Sequence, residues 1–115
     1  MKRMLMAAVA ASLSTSAFAE TYVGAWSAGS SVGLPRCSQD DDNKIILKAD
    51  SETGYEHYCK FVRKQQISAN TWQVSASCSG EGGRRSAVYT LTVQGNRLIH
   101  RSTDGTNVYQ RCGRR

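Results

Sequence analysis

Four cysteines, two histidines, a run of aspartates and a scatter of arginines are the residues of this chain that could do chemistry. Cys37, Cys59, Cys78 and Cys112 lie 22, 19 and 34 positions apart. A zinc site needs thiolates or imidazoles grouped at short spacings such as CxxC, and no such spacing occurs. An even cysteine count in a small exported domain reads as two disulfides. His57 and His100 stand alone, with no GxSxG, HExxH or phosphate-loop motif around either. Each therefore reads as a structural or surface histidine. No set of acid, base and nucleophile emerges, so the chain is expected to be a non-catalytic protein without cofactor or metal. The stretch QDDDNK, residues 39–44, offers Asp40, Asp41 and Asp42. It lacks the alternating ligand spacing and terminal Glu of a calcium-binding EF-hand loop, so it reads as a solvated acidic loop.

The basic residues are more suggestive. Arg84 and Arg85 open one strand-like run, Arg97 and Arg101 lie in the next, Arg111 in the last, and Arg114 with Arg115 end the chain. Neighbouring strands could gather them into a basic surface that attracts an acidic protein or envelope partner. The Gly-rich connection SGEGG, residues 79–83, would present Glu81 beside Arg84 and Arg85. Nucleic acid is not an expected partner, because Trp26, Trp72, Tyr89 and Tyr109 read as core and form no stacking platform.

Positioning these residues falls to a short chain. It begins with Lys2 and Arg3, an apolar run from Met4 to Ala11, and the small-residue end Ala17-Phe18-Ala19. That is the pattern of a secretory signal peptide over residues 1–19, too short for a spanning helix. Removing nineteen of 115 residues leaves 96, one domain over residues 20–115, with thirteen basic and nine acidic residues, or +4. The expected location is periplasmic or secreted. A domain of this size buries a limited core and gains from cross-links.

Runs of β-branched and aromatic residues alternate with turn signals, and no helical stripe is sustained. The strand expectations are Thr21–Trp26, Lys44–Lys48, Tyr55–Gln65, Thr71–Cys78, Arg84–Val93, Arg97–Ser102 and Val108–Cys112. Residues 49–54, ADSETG, read as a turn. The fold class is all-β: an antiparallel meander of seven or eight strands, barrel-like, with two disulfides. In the strand Thr71–Cys78, Trp72, Val74, Ala76 and Cys78 alternate with Gln73, Ser75 and Ser77, a half-buried pattern. A hairpin turn centred between Ser68 and Ala69 pairs Cys59 with Cys78, Phe61 with Ala76, Arg63 with Val74 and Gln65 with Trp72. The expected disulfides are Cys59–Cys78 and, from the remaining pair, Cys37–Cys112. The second closes a loop of about 75 residues, worth on the order of 4 kcal/mol in the chain-entropy account. The same alternation places Lys60 and Lys64 on the outward face. In RLIHRS, Arg97, Ile99 and Arg101 share one face while Leu98 and His100 share the other.

Two resemblances follow. Gly24-Ala25-Trp26 near the start and Arg111 in the last strand resemble the GxW…Arg arrangement of lipocalin-like barrels, which the small bacterial metalloprotease inhibitors share. This implies that Trp26 closes one barrel end under Arg111, a cation–π contact of roughly 1 kcal/mol. More of the chain resembles a group of small exported alphaproteobacterial proteins, mostly uncharacterised. The matching stretches are Gly54-Tyr55-Glu56 with Cys59, Trp72 to Gly82, Leu91 to Leu98, and Tyr109 to Cys112. The resulting expectation is a monomeric, exported, non-catalytic binding module, inhibitor-like, contacting a protein through Arg84, Arg85, Glu81, Arg114 and Arg115. The alternatives are a carrier of a small apolar ligand and a secreted effector or envelope-interaction factor.

Overall fold

Alternation of inward apolar and outward polar residues, punctuated after β2 by two-residue turns, closes this chain on itself. A computed structural model describes residues 20–29, 37–38 and 41–113. The expected signal peptide, Asp40, Arg114 and Arg115 lie outside those residues. The strands are β1 (Gly24–Ser27), β2 (Lys44–Lys48), β3 (Ser51–Gly54), β4 (His57–Ser68), β5 (Thr71–Gly80), β6 (Gly83–Gln94), β7 (Arg97–Ser102) and β8 (Gly105–Arg111). Each pairs antiparallel with its sequence neighbour, and β8 returns to β1, giving a closed eight-stranded barrel. Closure leaves no long unpaired edge.

Both expected disulfides are present, Cys59–Cys78 and Cys37–Cys112, with Cα separations of 4.0 and 5.9 Å. Cys59 sits directly opposite Cys78 and Phe61 opposite Ala76, as the alternation requires. Beyond Phe61 the expected register fails. A bulge between Phe61 and Arg63 moves Arg63 opposite Ser75 and Lys64 opposite Val74, and a second irregularity before Ser68 places the turn at Ala69–Asn70. Val62, the extra residue, is left 72% exposed. A one-residue slip exchanges the two faces of a strand, so Lys64 points inward, contrary to the expectation that it shares the outward face with Lys60.

Two other boundaries differ. The first strand begins at Gly24, because Thr21 and Tyr22 turn beneath the barrel and Tyr22 is fully buried there. The stretch ADSETG is a turn only at Ala49–Asp50; Ser51–Gly54 forms β3, which pairs with β2 and β4. It is short and rich in Ser, Thr and Gly, so propensity does not mark it.

The core holds Trp26, Leu47, Phe61, Trp72, Val74, Leu91 and Leu98. Asp41 departs from the expected solvated loop. It is 9% exposed, and its carboxylate accepts from Ser27 Oγ and Cys37 N at 2.7 Å and from Asn43 N at 2.9 Å. Burial opposes its charge, but the Ser27 hydroxyl and the two backbone amides outweigh burial and lower its pKa. It fastens the β1–β2 connection, whereas Asp42 is exposed.

Candidate functional site: the open mouth of the barrel

The two barrel ends are built differently. At the end where β1 begins and β8 finishes, the Arg111 guanidinium lies 4.1 Å from the Trp26 ring centre and donates to the carbonyls of Val23 and Thr21. Trp26 Nε1 donates to the Tyr22 carbonyl, and Tyr22 meets Trp72 edge-on at 5.1 Å. The inward-turned Lys64 bonds the Ala49 carbonyl at 2.8 Å, pairs with Glu20 and lies 5.9 Å from the Tyr22 ring centre. Burial works against its charge, and Glu20 and Tyr22 overcome it, so its pKa is raised. Gly24, at φ +145°, leaves room for Arg111: a Cβ there would sit 2.9 Å from Nη1. This end is sealed.

The opposite end opens into a cavity of about 830 Å³. Among its lining residues is Glu52 of β3, 5% exposed. Glu52 Oε2 lies 2.9 Å from His57 Nε2, and Oε1 lies 3.1 Å from His100 Nε2. The consecutive strands β3 and β4 and the distant β7 thus converge on one carboxylate. Burial would raise the Glu52 pKa; the hydrogen bonds from His100 and His57 and the charge of His100 outweigh it and bring it down to about 2. An ionised carboxylate only accepts, so both imidazoles carry their proton on Nε2. The Glu52 hydrogen bond raises the His57 pKa against the effect of partial burial.

Aromatic rings complete the wall. Tyr89 stacks on His100 with centroids 4.3 Å apart, and His100 meets Tyr109 at 6.2 Å. The Tyr89 hydroxyl is buried and has no hydrogen-bond partner among the described residues. The Glu52 carboxylate lies near enough to act on it through its charge and a polar contact that falls short of hydrogen-bond geometry. Burial and then the Glu52 charge raise the Tyr89 pKa, and the same two causes push Tyr109 up to about 12. Both remain neutral phenols. Gly54 makes the geometry possible, because a Cβ there would sit 2.2 Å from His57 Cε1.

Chemically, this cluster can exchange a proton between one carboxylate and two imidazoles and can offer hydroxyl, carboxylate and aromatic faces to a guest. The ligand atoms of Glu52, His57 and Cys59 lie within 4.8 Å of one another. Cys59 is bonded to Cys78, however, so it has no thiolate to give a metal.

Of the residues singled out from sequence, Arg85 and Glu81 line the mouth, and Arg84 is exposed opposite Ser79 at the same end of β6. Arg97 lies opposite Gln94 at the far end of β6, and Arg101 opposite Thr90, so the register spreads these arginines along the barrel and does not gather them with Arg84. Trp26 and Arg111 meet at the sealed end. His57 and His100, expected to be isolated, are joined through Glu52, which the turn reading of residues 49–54 concealed. The one available signal was His100 on the apolar face with Leu98.

No helix among the described residues is long and apolar enough to cross a membrane, and the two cystines fit an exported protein. Family models, curated proteins and solved structures show no match to this chain.

Proposed function

We propose that this is an exported, non-catalytic binding barrel that receives a small polar ligand in its open mouth. The carrying observation is the convergence of Glu52, His57, His100 and the unpartnered Tyr89 hydroxyl on a cavity of about 830 Å³. That volume falls in the range of small-molecule sites, and such sites place a few polar groups among aromatic walls. A buried hydroxyl without a partner costs about 1–3 kcal/mol, which a guest would recover. The charged lining favours a polar guest over the apolar one considered from sequence. A periplasmic or secreted carrier, or a scavenger of an envelope metabolite, is the corresponding role.

A second reading takes the occupant to be a side chain of a protein partner, in the manner of a small barrel inhibitor. The exposed Glu81 turn and Arg84 beside the mouth support it.

Native mass spectrometry of the oxidised protein, after exposure to a low-molecular-weight extract of its own culture, tests the first reading. A small-molecule adduct is expected that disappears in Ala87→Trp, since Ala87 lines the cavity, and weakens in Tyr89→Phe. An adduct indifferent to both changes, or none at all, would contradict it.

A further inference from the structure

The charge of the mouth differs in sign from that of the chain. The whole sequence is formally +6. The described lining, by contrast, contains four carboxylates, Glu52, Glu56, Glu81 and Asp104, against one guanidinium, Arg85, and two histidines. Among the described residues no Lys, Arg or His lies within 4.0 Å of Glu56, Glu81 or Asp104. Glu56 stands at the β3–β4 turn with φ +56°, and Glu81 at the β5–β6 turn. A side-chain hydrogen bond with Glu56 raises the pKa of Glu81, which places the two carboxyl groups side by side at the opening.

The rim carboxylates would not by themselves make a site. Below them lies Tyr89, 4% exposed, whose buried hydroxyl has no hydrogen-bond partner among the described residues and which lines the same cavity. A neutral phenol in that position can accept a hydrogen bond from a donor that enters. Tyr89 and Tyr109 both line the cavity, and aromatic rings attract cations through their quadrupoles. Carboxylates at the rim, an acceptor hydroxyl within and aromatic walls are complementary to one kind of guest.

We propose that the mouth binds an organic cation, with an ammonium or guanidinium head directed past Glu56 and Glu81 toward the Tyr89 hydroxyl. This deepens the binding-cup reading and rests on it. Glu52 remains engaged by His57 and His100 and sets the shape of the floor. The rim carboxylates supply selection against anions, since a like charge brought to the opening is repelled.

The test is an equilibrium titration of the oxidised protein, followed by protein NMR, with three probes of one shape: benzylamine, benzyl alcohol and benzoate. Benzylamine is expected to bind best and benzoate worst. Its affinity should fall roughly three- to tenfold in the double variant E56Q/E81Q, the scale of two exposed charge contacts, and should fall likewise at high salt. The substituted residues are exposed, so the fold is retained. Benzyl alcohol or benzoate equalling benzylamine, or benzylamine binding unchanged in E56Q/E81Q, would overturn the cation inference while leaving the cup. No binding of any probe at the mouth would overturn both.

Discussion

One barrel has two ends made from the same strands, and they use their aromatic and charged residues in opposite ways. At the sealed end, cations serve as covers: Arg111 lies over Trp26, and Lys64 over Tyr22. Hydrogen-bond donors there find carbonyls, as with Trp26 Nε1 on Tyr22 and Tyr22 Oη on Ala49. At the open end a carboxylate is the centre, histidines satisfy it, and a tyrosine hydroxyl has no hydrogen-bond partner among the described residues. The difference separates stability from readiness to bind. A satisfied end resists change, whereas an end with an orphaned group can gain by accepting a guest.

The largest expected effect lies at the sealed end. Trp26→Ala should cost about 3–5 kcal/mol in denaturant unfolding, as expected for truncating a fully buried Trp. The mouth, lined by residues of β3 to β8, should keep its ligand affinity wherever the variant remains folded. Loss of mouth binding in the folded variant would show that the ends are not separable.

Next comes the acid dependence of the open end. Glu52 has its pKa lowered from 4.5 to about 2 on folding. Its ionised form therefore stabilises the fold above pH 4.5, and that contribution is lost as pH falls through about 2. The shift corresponds to about 3 kcal/mol. The His57 pKa is raised from 6.5, so its contribution is complete below 6.5 and is lost as pH rises through the folded value. Stability measured against pH should slope on both sides of a window between 4.5 and 6.5. The acid slope should flatten in Glu52→Gln, which should also be less stable than wild type near pH 6. An unchanged acid slope in that variant would remove Glu52 from the centre of the account.

A smaller effect is expected from Gly54→Ala. Its Cβ would meet His57 Cε1, so the imidazole must move and lose its bond to Glu52, at about 1 kcal/mol. In an NMR titration the His57 pKa should return toward its ordinary value. The smallest effect concerns the rim. Glu56 holds a left-handed backbone conformation, which is unfavourable for a residue with a Cβ by roughly 1 kcal/mol. Glu56→Gly should therefore raise the unfolding midpoint slightly while weakening cation binding, a trade expected of a strained binding residue.

Neither end was legible throughout: Trp26 under Arg111 at the sealed end and the Cys59–Cys78 pair beside the mouth were both readable in sequence. Cys59 and Cys78 could be paired because Trp72, Val74, Ala76 and Cys78 alternate without interruption, and alternation carries register. Beyond Phe61 the bulge at Val62 left no mark, since Val62, Arg63 and Lys64 are all compatible with either face of a strand. Lys64 was consequently placed outside, although it faces Tyr22. At the open end, Glu52 was hidden because β3 is four residues long and built from turn-forming types. Its two histidine partners are 5 and 48 positions away, a convergence that depends on closure of the whole barrel and on no local pattern. His100 beside Leu98 on the inward face was the visible trace, since a histidine on an apolar face needs a partner.

The most direct test of the division between the ends is where a guest is felt. Side-chain NMR signals of the oxidised protein would be followed during addition of benzylamine, with the Trp26 indole N–H as internal reference for the sealed end. The account predicts shifts at the His57, His100, Tyr89 and Tyr109 rings, with the Trp26 signal unmoved. Shifts at Trp26 and Tyr22, or on the outward arginines alone, would contradict it.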